Sequence, residues 1–226
     1  MRYTGFLLAA IAFITGDMET KARADGKSAP PSAVILIAAH KPSLSGWVRR
    51  NDTPAAWNVH DDYVDIAPGK GDIVTKDRFG DFQLHVEFWI PLMANKKGQA
   101  RGNSGVYLQG RYEIQVLDSF HNDTYVDGSC GALYKIIAPS QNASKPPEEW
   151  QTYDITFRAP RVDREGHVTE KGEVTVIHNG VTIIDKGRFD HATPGALDTP
   201  QGTPGPIMLQ DHGARVRYRN VWLKPM

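Results

Sequence analysis

The sequence has 226 residues, and its 26 Lys and Arg are balanced by 26 Asp and Glu, so the formal net charge is zero. A chain of this length fits one domain and buries roughly 70% of the surface that its unfolded form exposes, so it can build a core without disulfides. Balanced charge provides no basic field for a phosphate backbone, and we expect no nucleic-acid partner. The 21 Gly and 15 Pro are typical of a turn-rich β protein.

The first 24 residues have the pattern of an export signal. Arg2 supplies a positive charge, residues 6–14 (FLLAAIAFI) form a short apolar run, and residues 22–24 (ARA) match a small-x-small cleavage pattern. The apolar run is shorter than the ~20 residues that span a bilayer. We therefore predict a signal peptide over residues 1–24, cleavage near Ala24, a periplasmic or secreted protein, and no membrane contact after cleavage. A buried, uncleaved N-terminal helix is the alternative.

The rest of the chain is predicted to be a linker followed by one domain. Residues 25–32 (DGKSAPPS) are small and Pro-containing, which is typical of a linker. Residues 33–226 are predicted to form a single domain, and we expect a monomer. Cys130 is the only cysteine, so no intramolecular disulfide is possible, and a buried structural role is the usual one for a free cysteine.

Alternating and apolar runs predict about a dozen strands and no convincing amphipathic helix. Asn179-Gly180 is the strongest hairpin signal in the sequence. Strands are predicted over residues 33–39, 79–90, 102–118 (two strands), 131–137, 150–158, 173–184 (a hairpin) and 216–223. The fold class that accommodates them most simply is all-β, a two-sheet antiparallel sandwich.

The strand at 79–90 (FGDFQLHVEFWI) has one apolar face and one unusual polar face. The polar face carries Gln83, His85, Glu87 and Trp89, where a solvent-exposed strand would usually carry Lys, Thr and Ser. Polar groups that bind hydroxyls and an aromatic ring that covers a sugar face suit a carbohydrate groove. We predict His85 and Trp89 as substrate contacts and Glu87 as a catalytic candidate.

The stretch 102–118 (GNSGVYLQGRYEIQVLD) combines two Gly-containing turns with two short strands. From Tyr112 the even positions are apolar or aromatic, so Glu113 and Gln115 face a second surface together. A carboxylate beside an amide on a rigid sheet is a common element of carbohydrate sites. Glu113 is therefore the first candidate for a catalytic acid or base, with Gln115 expected to bind a hydroxyl.

Glu113 needs a second proton-transfer group. Asp118 could return to the same face through a β-bulge, but at ~3.3 Å per residue it would lie roughly 16 Å away. Glu87 and His212 are therefore the predicted partners, and histidine titrates in the range that suits proton transfer near neutral pH. Structural alternatives stay open: pairing of Glu113 with Arg111, turn capping by Asp118, and backbone bonding by His212.

Further polar and aromatic residues near these candidates complete the predicted site. The predicted substrate contacts are Gln115, Asn103, Gln109, Arg111, His85, Trp89, Tyr134, Lys135, Trp150 and Gln210. The sequence has no HExxH motif and no EF-hand ligand run, so no cofactor is predicted. A divalent metal held by several strands stays an open alternative.

Seven ordered pieces of the sequence resemble the 3-keto-disaccharide hydrolase domain family. They are LSGW (44–47), GDFQLHVEF (80–88), GNSGVYLQGRYEIQVLD (102–118), GALY (131–134), EWQTYDI (149–155), HNG (178–180) and LQDHGARVRYRNVWLKP (209–225). The resemblance covers nearly everything after the linker and implies a concanavalin-like jelly roll that acts on sugars oxidised at C3. One departure is Gln109, where many members carry Arg.

The resemblance implies a specific chemistry. A ketone at C3 acidifies the C2 proton, so a base can form an enolate that expels the C1 substituent, after which water adds. In this scheme Gln115 could bind the enolate oxygen instead of a hydroxyl. Direct hydrolysis would instead use two carboxyls around the scissile bond. The predicted function is an exported enzyme that cleaves 3-keto-glycosides or 3-keto-disaccharides by one of these routes. A non-catalytic, lectin-like carbohydrate-binding module is the alternative, because the same sandwich serves both functions.

Overall fold

The computed structural model describes residues 27–226, so the predicted signal peptide and the start of the linker lie outside the described residues. Two short 3-10 helices occupy Gly98–Ala100 and Val126–Gly128. The strands are β1 (Val34–Ile37), β2 (Trp47–Arg49), β3 (Asn58–Val59), β4 (Val64–Asp65), β5 (Ile73–Thr75), β6 (Phe82–Trp89), β7 (Asn103–Leu108), β8 (Tyr112–Leu117), β9 (Trp150–Arg158), β10 (Arg161–Val162), β11 (Val168–Glu170), β12 (Gly172–His178), β13 (Val181–Phe189), β14 (Met208–Leu209) and β15 (Arg217–Pro225). Within this described range, no helix has the length and apolarity to cross a membrane.

The strands form two main antiparallel sheets. The larger sheet has the order β13-β12-β9-β6-β15-β4-β3, with β1 also paired to β15. The smaller sheet has the order β2-β5-β14-β7-β8, and β10 and β11 form a separate pair. The predicted all-β, two-sheet antiparallel sandwich of the concanavalin-like jelly-roll type is confirmed.

The hydrophobic core lies between the two sheets. The larger sheet contributes the even positions of β6, from Phe82 to Phe88, and the smaller sheet contributes Tyr112, Ile114 and Val116 of β8. The ring of Tyr112 lies 5.5 Å from that of Phe157 on β9, which joins the sheets directly. Because side chains alternate along a strand, each of these strands also has an outer face directed away from the core.

Residues 131–137 do not form the predicted strand. Gly131 and Lys135 have φ angles of 86° and 63°, so the chain turns at both positions. Between them, Leu133 makes only isolated bridges, to Ile114 and Ile137. The apolar composition of this segment reflects its burial against β8, and the two left-handed residues interrupt any continuous ladder.

The predicted Asn-Gly turn joins β12 to β13. Asn179 and Gly180 have φ angles of 51° and 81°, as a tight hairpin turn requires. The Asn179 side chain also accepts a hydrogen bond from the Thr152 amide (3.0 Å) and donates one to the Ala143 carbonyl (2.8 Å). One residue thus connects the turn to two neighbouring segments.

Replacing Asn179 tests how much this turn contributes to stability. Asn179→Ala should lower the free energy of unfolding by about 2 kcal/mol, because it removes the side-chain hydrogen bonds of Asn179 and because Ala adopts the left-handed conformation less readily than Asn. Asn179→Gly should lower it less, because glycine keeps the backbone conformation. Urea denaturation measures both, and equal losses in the two variants would contradict the conformational part of the explanation.

Candidate active site

The polar residues selected from the sequence lie on two surfaces on opposite sides of the sandwich. Glu113 and Gln115 alternate with the core residues of β8, so they lie on the outer face of the smaller sheet. His85 and Glu87 alternate with the core residues of β6, so they lie on the outer face of the larger sheet. The core separates the two sets, and they cannot belong to one site.

A pocket of about 140 Å³ opens on the outer face of the smaller sheet, and we call it the Glu113 pocket. Its lining residues are Gln99, Asn103, Tyr107, Glu113, Gln115, Tyr134, Pro194, Gly195, Gln210 and His212. Six of these residues were predicted from the sequence: Glu113, His212, Asn103, Gln115, Tyr134 and Gln210. The structure therefore brings both leading proton-transfer candidates together with four of the predicted substrate contacts.

The Glu113 carboxyl is buried in this pocket, with 3% of the residue exposed. Tyr107 lies opposite it on β7, and its hydroxyl is 2.9 Å from Glu113 Oε2. Gly105 provides space for the carboxyl, because a Cβ there would collide with Glu113 Oε1. Burial raises the pKa of Glu113 to about 8 against the opposing hydrogen bond from Tyr107, with a further upward contribution from the charge of Asp72. At neutral pH the group is mainly a carboxylic acid.

Two amide side chains present unpaired oxygen atoms at this pocket. Gln115 Nε2 donates to Gln99 Oε1 (3.1 Å), and Gln210 Nε2 donates to the Tyr107 hydroxyl (3.2 Å). The Oε1 atoms of Gln115 and Gln210 are buried and have no partner among the described residues. A buried acceptor without a donor is unfavourable, so these atoms suit a ligand with several hydroxyl groups. Of the two roles considered for Gln115, hydroxyl binding fits its free oxygen.

His212 lies exposed at the mouth of the Glu113 pocket, in the turn after β14. The preceding Asp211 anchors this turn, because its carboxylate accepts hydrogen bonds from the amides of Gly71 (2.9 Å) and Gly213 (3.0 Å). The imidazole is therefore held near the pocket while its ring stays accessible to a ligand.

A second, larger pocket of about 460 Å³ lies on the same face, and we call it the arginine pocket. Its lining residues are Arg49, Arg50, Asn51, Gly71, Asp72, Gln210 and Asp211. Gln210 lines both pockets, and Arg50 connects them, because its guanidinium donates to Asp72 Oδ2 (2.6 Å) and to the Gly195 carbonyl (2.6 Å). The two pockets thus form one groove across the smaller sheet.

The loop over residues 190–206 forms one wall of the groove and is held by Arg111. This guanidinium is buried beneath the loop, where it pairs with Asp198 and donates to the Thr203 carbonyl (2.8 Å). Arg111 does not line the Glu113 pocket and does not pair with Glu113. The predicted substrate contact at Arg111 is therefore replaced by a structural role in the loop.

Glu87 lies outside the groove. Its carboxylate accepts hydrogen bonds from Arg219 (2.6 Å) and Asn220 (2.8 Å). Burial alone would raise the pKa of Glu87, but the neighbouring His85 (3.7 Å) and the hydrogen bonds from Asn220 and Arg219 outweigh it and lower the pKa to about 2. The expectation that Glu87 completes the site of Glu113 is not met, because β6 belongs to the other sheet.

Three predicted substrate contacts share the outer face of the larger sheet with Glu87. They pack against neighbouring side chains and are far from the groove. The packing partners are Trp222 and Asp154 for His85, Arg217 for Trp89, and Arg219 for Trp150. The groove therefore receives no side chain from β6. The acid, the imidazole and the indole on the outer face of β6 belong to a separate polar surface.

Asp118 caps a turn, which was the structural alternative for this residue. One carboxylate oxygen lies 3.3 Å from the Phe120 amide and the other lies 3.0 Å from Arg101 Nε. The β7–β8 ladder runs in register through its last pair, so no bulge returns Asp118 to the face of Glu113. Burial raises the pKa of Asp118, against the opposing charge of Arg101.

Gln109 and Lys135 also lie outside the Glu113 pocket. Gln109 is in the β7–β8 turn with a φ of 53°, and its amide donates to the carbonyls of Phe79 (2.9 Å) and Gly80 (3.1 Å). Lys135 is exposed and pairs with Asp127 at 3.3 Å. Neither residue lines the pocket to which the prediction assigned it.

Sequence reasoning missed Tyr107, although a signal was present. The two-residue turn at 109–110 fixes the register of β7 and β8, which places Tyr107 directly opposite Glu113. An aromatic residue in a strand is most often assigned to the core, so the outward orientation of Tyr107 was not predicted. Gln99 was also missed, because it reaches the pocket from a loop that has no periodic pattern.

The side chains of the Glu113 pocket can transfer protons and bind hydroxyl groups. Glu113, Tyr107, Tyr134 and His212 are its titratable residues, and burial together with the neighbouring Glu113 raises the pKa of Tyr107. Across residues 27–226, no group of three or more His, Cys, Asp and Glu side chains is placed to hold a metal ion.

The sequence matches the family model of the 3-keto-alpha-glucoside-1,2-lyase-like domain over residues 40–224. The chain belongs to this family. The resemblance seen in the sequence motifs is confirmed, and the family match includes every residue of the Glu113 pocket.

Solved structures include relatives of this family member. A candidate glycosyl hydrolase of Parabacteroides distasonis is 39% identical, with a TM-score of 0.81, over 88% of this chain and 85% of that one. A second candidate glycosyl hydrolase of the same organism is 19% identical, with a TM-score of 0.60, over 86% and 94% of the two chains, and shares the fold. No curated protein matches the sequence. The family and the first relative support a carbohydrate-related function.

The raised pKa of Glu113 predicts a pH-dependent effect on stability. The folded protein holds this proton more tightly than the unfolded chain, so the contribution of Glu113 to stability falls as pH rises from about 4.5 to about 8. Glu113→Gln removes the titration and keeps the shape of the neutral acid. The variant should therefore melt several degrees above wild type at pH 9 and within about one degree of it at pH 4. Thermal denaturation at both pH values measures this, and an equal difference at both would contradict the raised pKa.

Proposed function

We propose that the protein cleaves the glycosidic bond of 3-keto-glycosides or 3-keto-disaccharides, with Glu113 as the acid that protonates the departing oxygen. The observation that carries the proposal is the neutral, buried carboxyl of Glu113 beside unpaired amide oxygens and His212 in one pocket. Family membership supports the choice of a 3-keto sugar as substrate.

Elimination is the route that these residues suit best. The C3 ketone acidifies the C2 proton, and His212 accepts that proton as general base. The electrons of the C2–H bond form the enolate, which then expels the C1 oxygen as the C1–O bond breaks. Glu113 donates its proton to this oxygen, so the leaving group departs as a neutral alcohol.

Hydration completes the reaction with the same two groups in reversed roles. Glu113, now a carboxylate, takes a proton from a water molecule as the water oxygen adds to C1 of the enone. The protonated His212 returns a proton to C2. The products are a free 3-keto sugar and an alcohol, and both catalytic groups regain their starting protonation states.

Direct hydrolysis is less well supported by the groove. That route uses two carboxyls about 5 Å or 6.5–9.5 Å apart around the scissile bond. Glu113 is the only carboxyl that lines its pocket among the described residues. The neighbouring Asp72 is bound by Arg50 Nε (2.6 Å) and by the Asp211 amide (2.8 Å), so both of its oxygens already have partners.

The arginine pocket is the proposed position of the leaving group. The Glu113 pocket alone is smaller than the roughly 300 Å³ at the lower end of ligand sites, and the adjoining pocket provides space for a second unit. Its lining also differs: Arg49 and Arg50 offer donors, whereas the carboxylates of Asp72 and Asp211 are occupied by Arg50 and by backbone amides. A second sugar with several oxygen acceptors fits this lining.

The cellular setting remains part of the proposal. The pattern of residues 1–24 supports export to the periplasm or the exterior, and the balanced charge supports a small sugar substrate with no nucleic-acid partner. We also propose that the protein acts as a monomer.

The direct test is release of the leaving group from 3-keto-trehalose and 3-keto-glucosides. Wild type should release it in deuterated water with deuterium incorporated at C2, which distinguishes elimination from direct hydrolysis. Glu113→Gln should bind these substrates with a turnover at least about 100-fold lower, the usual size of a general-acid contribution. Glu87→Gln is the matched control on the other sheet and should keep the wild-type turnover.

The opposite result would favour the lectin-like alternative. If wild type binds unmodified sugars, releases nothing from any 3-keto substrate, and Glu113→Gln binds in the same way, the enzymatic proposal is wrong. Product without deuterium at C2 would instead retain the enzyme and exclude elimination.

Arg49 provides a separate test of the arginine pocket. Arg49→Ala should weaken binding of a 3-keto-disaccharide to the Glu113→Gln background by about tenfold, close to 1.4 kcal/mol, and leave a methyl 3-keto-glucoside unaffected. Calorimetry measures both ligands. Arg188→Ala, on exposed β13 of the larger sheet, is the control. Equal losses for both ligands would place the effect outside the leaving-group position.

A further inference from the structure

The Tyr107 hydroxyl has more hydrogen-bond acceptors than it can serve. It lies 2.9 Å from Glu113 Oε2 and 3.0 Å from the Pro194 carbonyl oxygen, and it accepts from Gln210 Nε2 at 3.2 Å. A phenol has one proton, so it donates to Glu113 or to Pro194 at any moment. The other acceptor must then obtain a proton from elsewhere or remain without one.

Counting protons distinguishes the two states of Glu113. When Glu113 is a carboxylic acid, its O–H can donate to Tyr107, and Tyr107 donates to Pro194, so every group is paired. When Glu113 is a carboxylate, Tyr107 donates to Oε2 and the Pro194 carbonyl gives up its donor. Both states use the same atoms at the same positions, and only the direction of two hydrogen bonds changes.

We propose that Tyr107 is a positioning residue whose single hydroxyl proton moves between Pro194 and Glu113 as Glu113 releases and regains its own proton. In the free protein this statement stands on the contacts alone. Its catalytic meaning rests on the proposed function, in which Glu113 must first donate a proton and then accept one.

The exchange balances through one reaction cycle. As Glu113 transfers its proton to the departing oxygen, the Tyr107 hydroxyl rotates from Pro194 to Glu113 Oε2 and stabilises the new carboxylate. As Glu113 takes a proton from water, the hydroxyl returns to Pro194. Tyr107 never loses its proton, which agrees with burial holding its pKa above the usual range.

Other charged and titratable groups surround Glu113 from several elements. Tyr134 follows β8, and His212 follows β14. Asp72 precedes β5, and its partner Arg50 follows β2. None of these four groups forms a hydrogen bond with the carboxyl in the described part of the chain, whereas Tyr107 lies 2.9 Å from it. A change at Tyr107 should therefore act directly on the titration of Glu113.

The test is a carbon-13 NMR titration of the Glu113 carboxyl, assigned by its loss in Glu113→Gln. Hydrogen bonds to a charged group are stronger than those to a neutral one, so Tyr107→Phe removes more from the carboxylate than from the acid. The titration should move upward by about one pH unit. The pH at which kcat/KM changes should move with it. An unchanged or lowered titration would overturn the proposal.

Tyr112→Phe is the matched control. Tyr112 is on β8 with its side chain in the core, and its hydroxyl donates to Gln201 Oε1 (3.0 Å) in the same 190–206 loop that contains Pro194. Both variants therefore remove one tyrosine contact with this loop. Only Tyr107→Phe should move the Glu113 titration, and an equal shift in both would assign the effect to the loop and overturn the proposal.

A measurement on wild type covers the case in which Tyr107→Phe does not fold. The Cζ resonance of Tyr107 should change at the pH at which Glu113 titrates, because its hydroxyl changes partner there. No change at that pH would overturn the proposal. The NMR experiments need no substrate, so absence of turnover on 3-keto sugars would contradict the proposed function while leaving the Tyr107 result independent of it.

Discussion

The pairing of β7 with β8 through a two-residue turn is the constraint on which the site depends. The turn at 109–110 fixes the register, and strand alternation then assigns opposite directions to neighbouring residues. Val106 and Ile114 face the core from one side of this hairpin, while Tyr107 and Glu113 meet on the other. The same ladder thus contributes apolar burial to the fold and holds an acid against a phenol outside it.

This arrangement explains how the protein tolerates a buried carboxyl. A carboxyl that is buried from water opposes stability once the surrounding pH favours its ionisation. The strand pair that carries Glu113 can accommodate this loss of stability, because its inner positions are completely buried. These positions are Val106, Leu108, Ile114 and Val116. Rigid inner packing therefore allows an outer position that is electrostatically unfavourable but chemically useful.

The sequence was sufficient for the fold and for half of the groove. Alternation within a single strand placed Glu113 and Gln115 on one face, and local turn chemistry identified the Asn179-Gly180 hairpin. The sequence could not show whether Glu87 lies near Glu113, because the strand of Glu87 would have the same alternation in either sheet. Which sheet a strand joins depends on pairings with distant segments, here β6 with β9 and β15.

His212 and Tyr107 illustrate two kinds of information that a single strand does not contain: the order of strands in a sheet and the register within a hairpin. His212 reaches the Glu113 pocket because β14 pairs with β7, a contact between segments about a hundred residues apart that no local pattern encodes. Tyr107 required only the neighbouring strand and the turn between them. Register within a hairpin can thus be derived from the sequence, whereas the order of strands across a sheet cannot.

The 190–206 loop and the strands of the smaller sheet contribute different parts of the groove. Its backbone forms part of the groove wall at Pro194 and Gly195, while the acid and the amides belong to strands. Arg111 anchors the loop from below without entering the groove. Under the proposed function, a change in the length of this loop would alter the sugars that the groove accepts and would leave the acid and the amides of the strands in place.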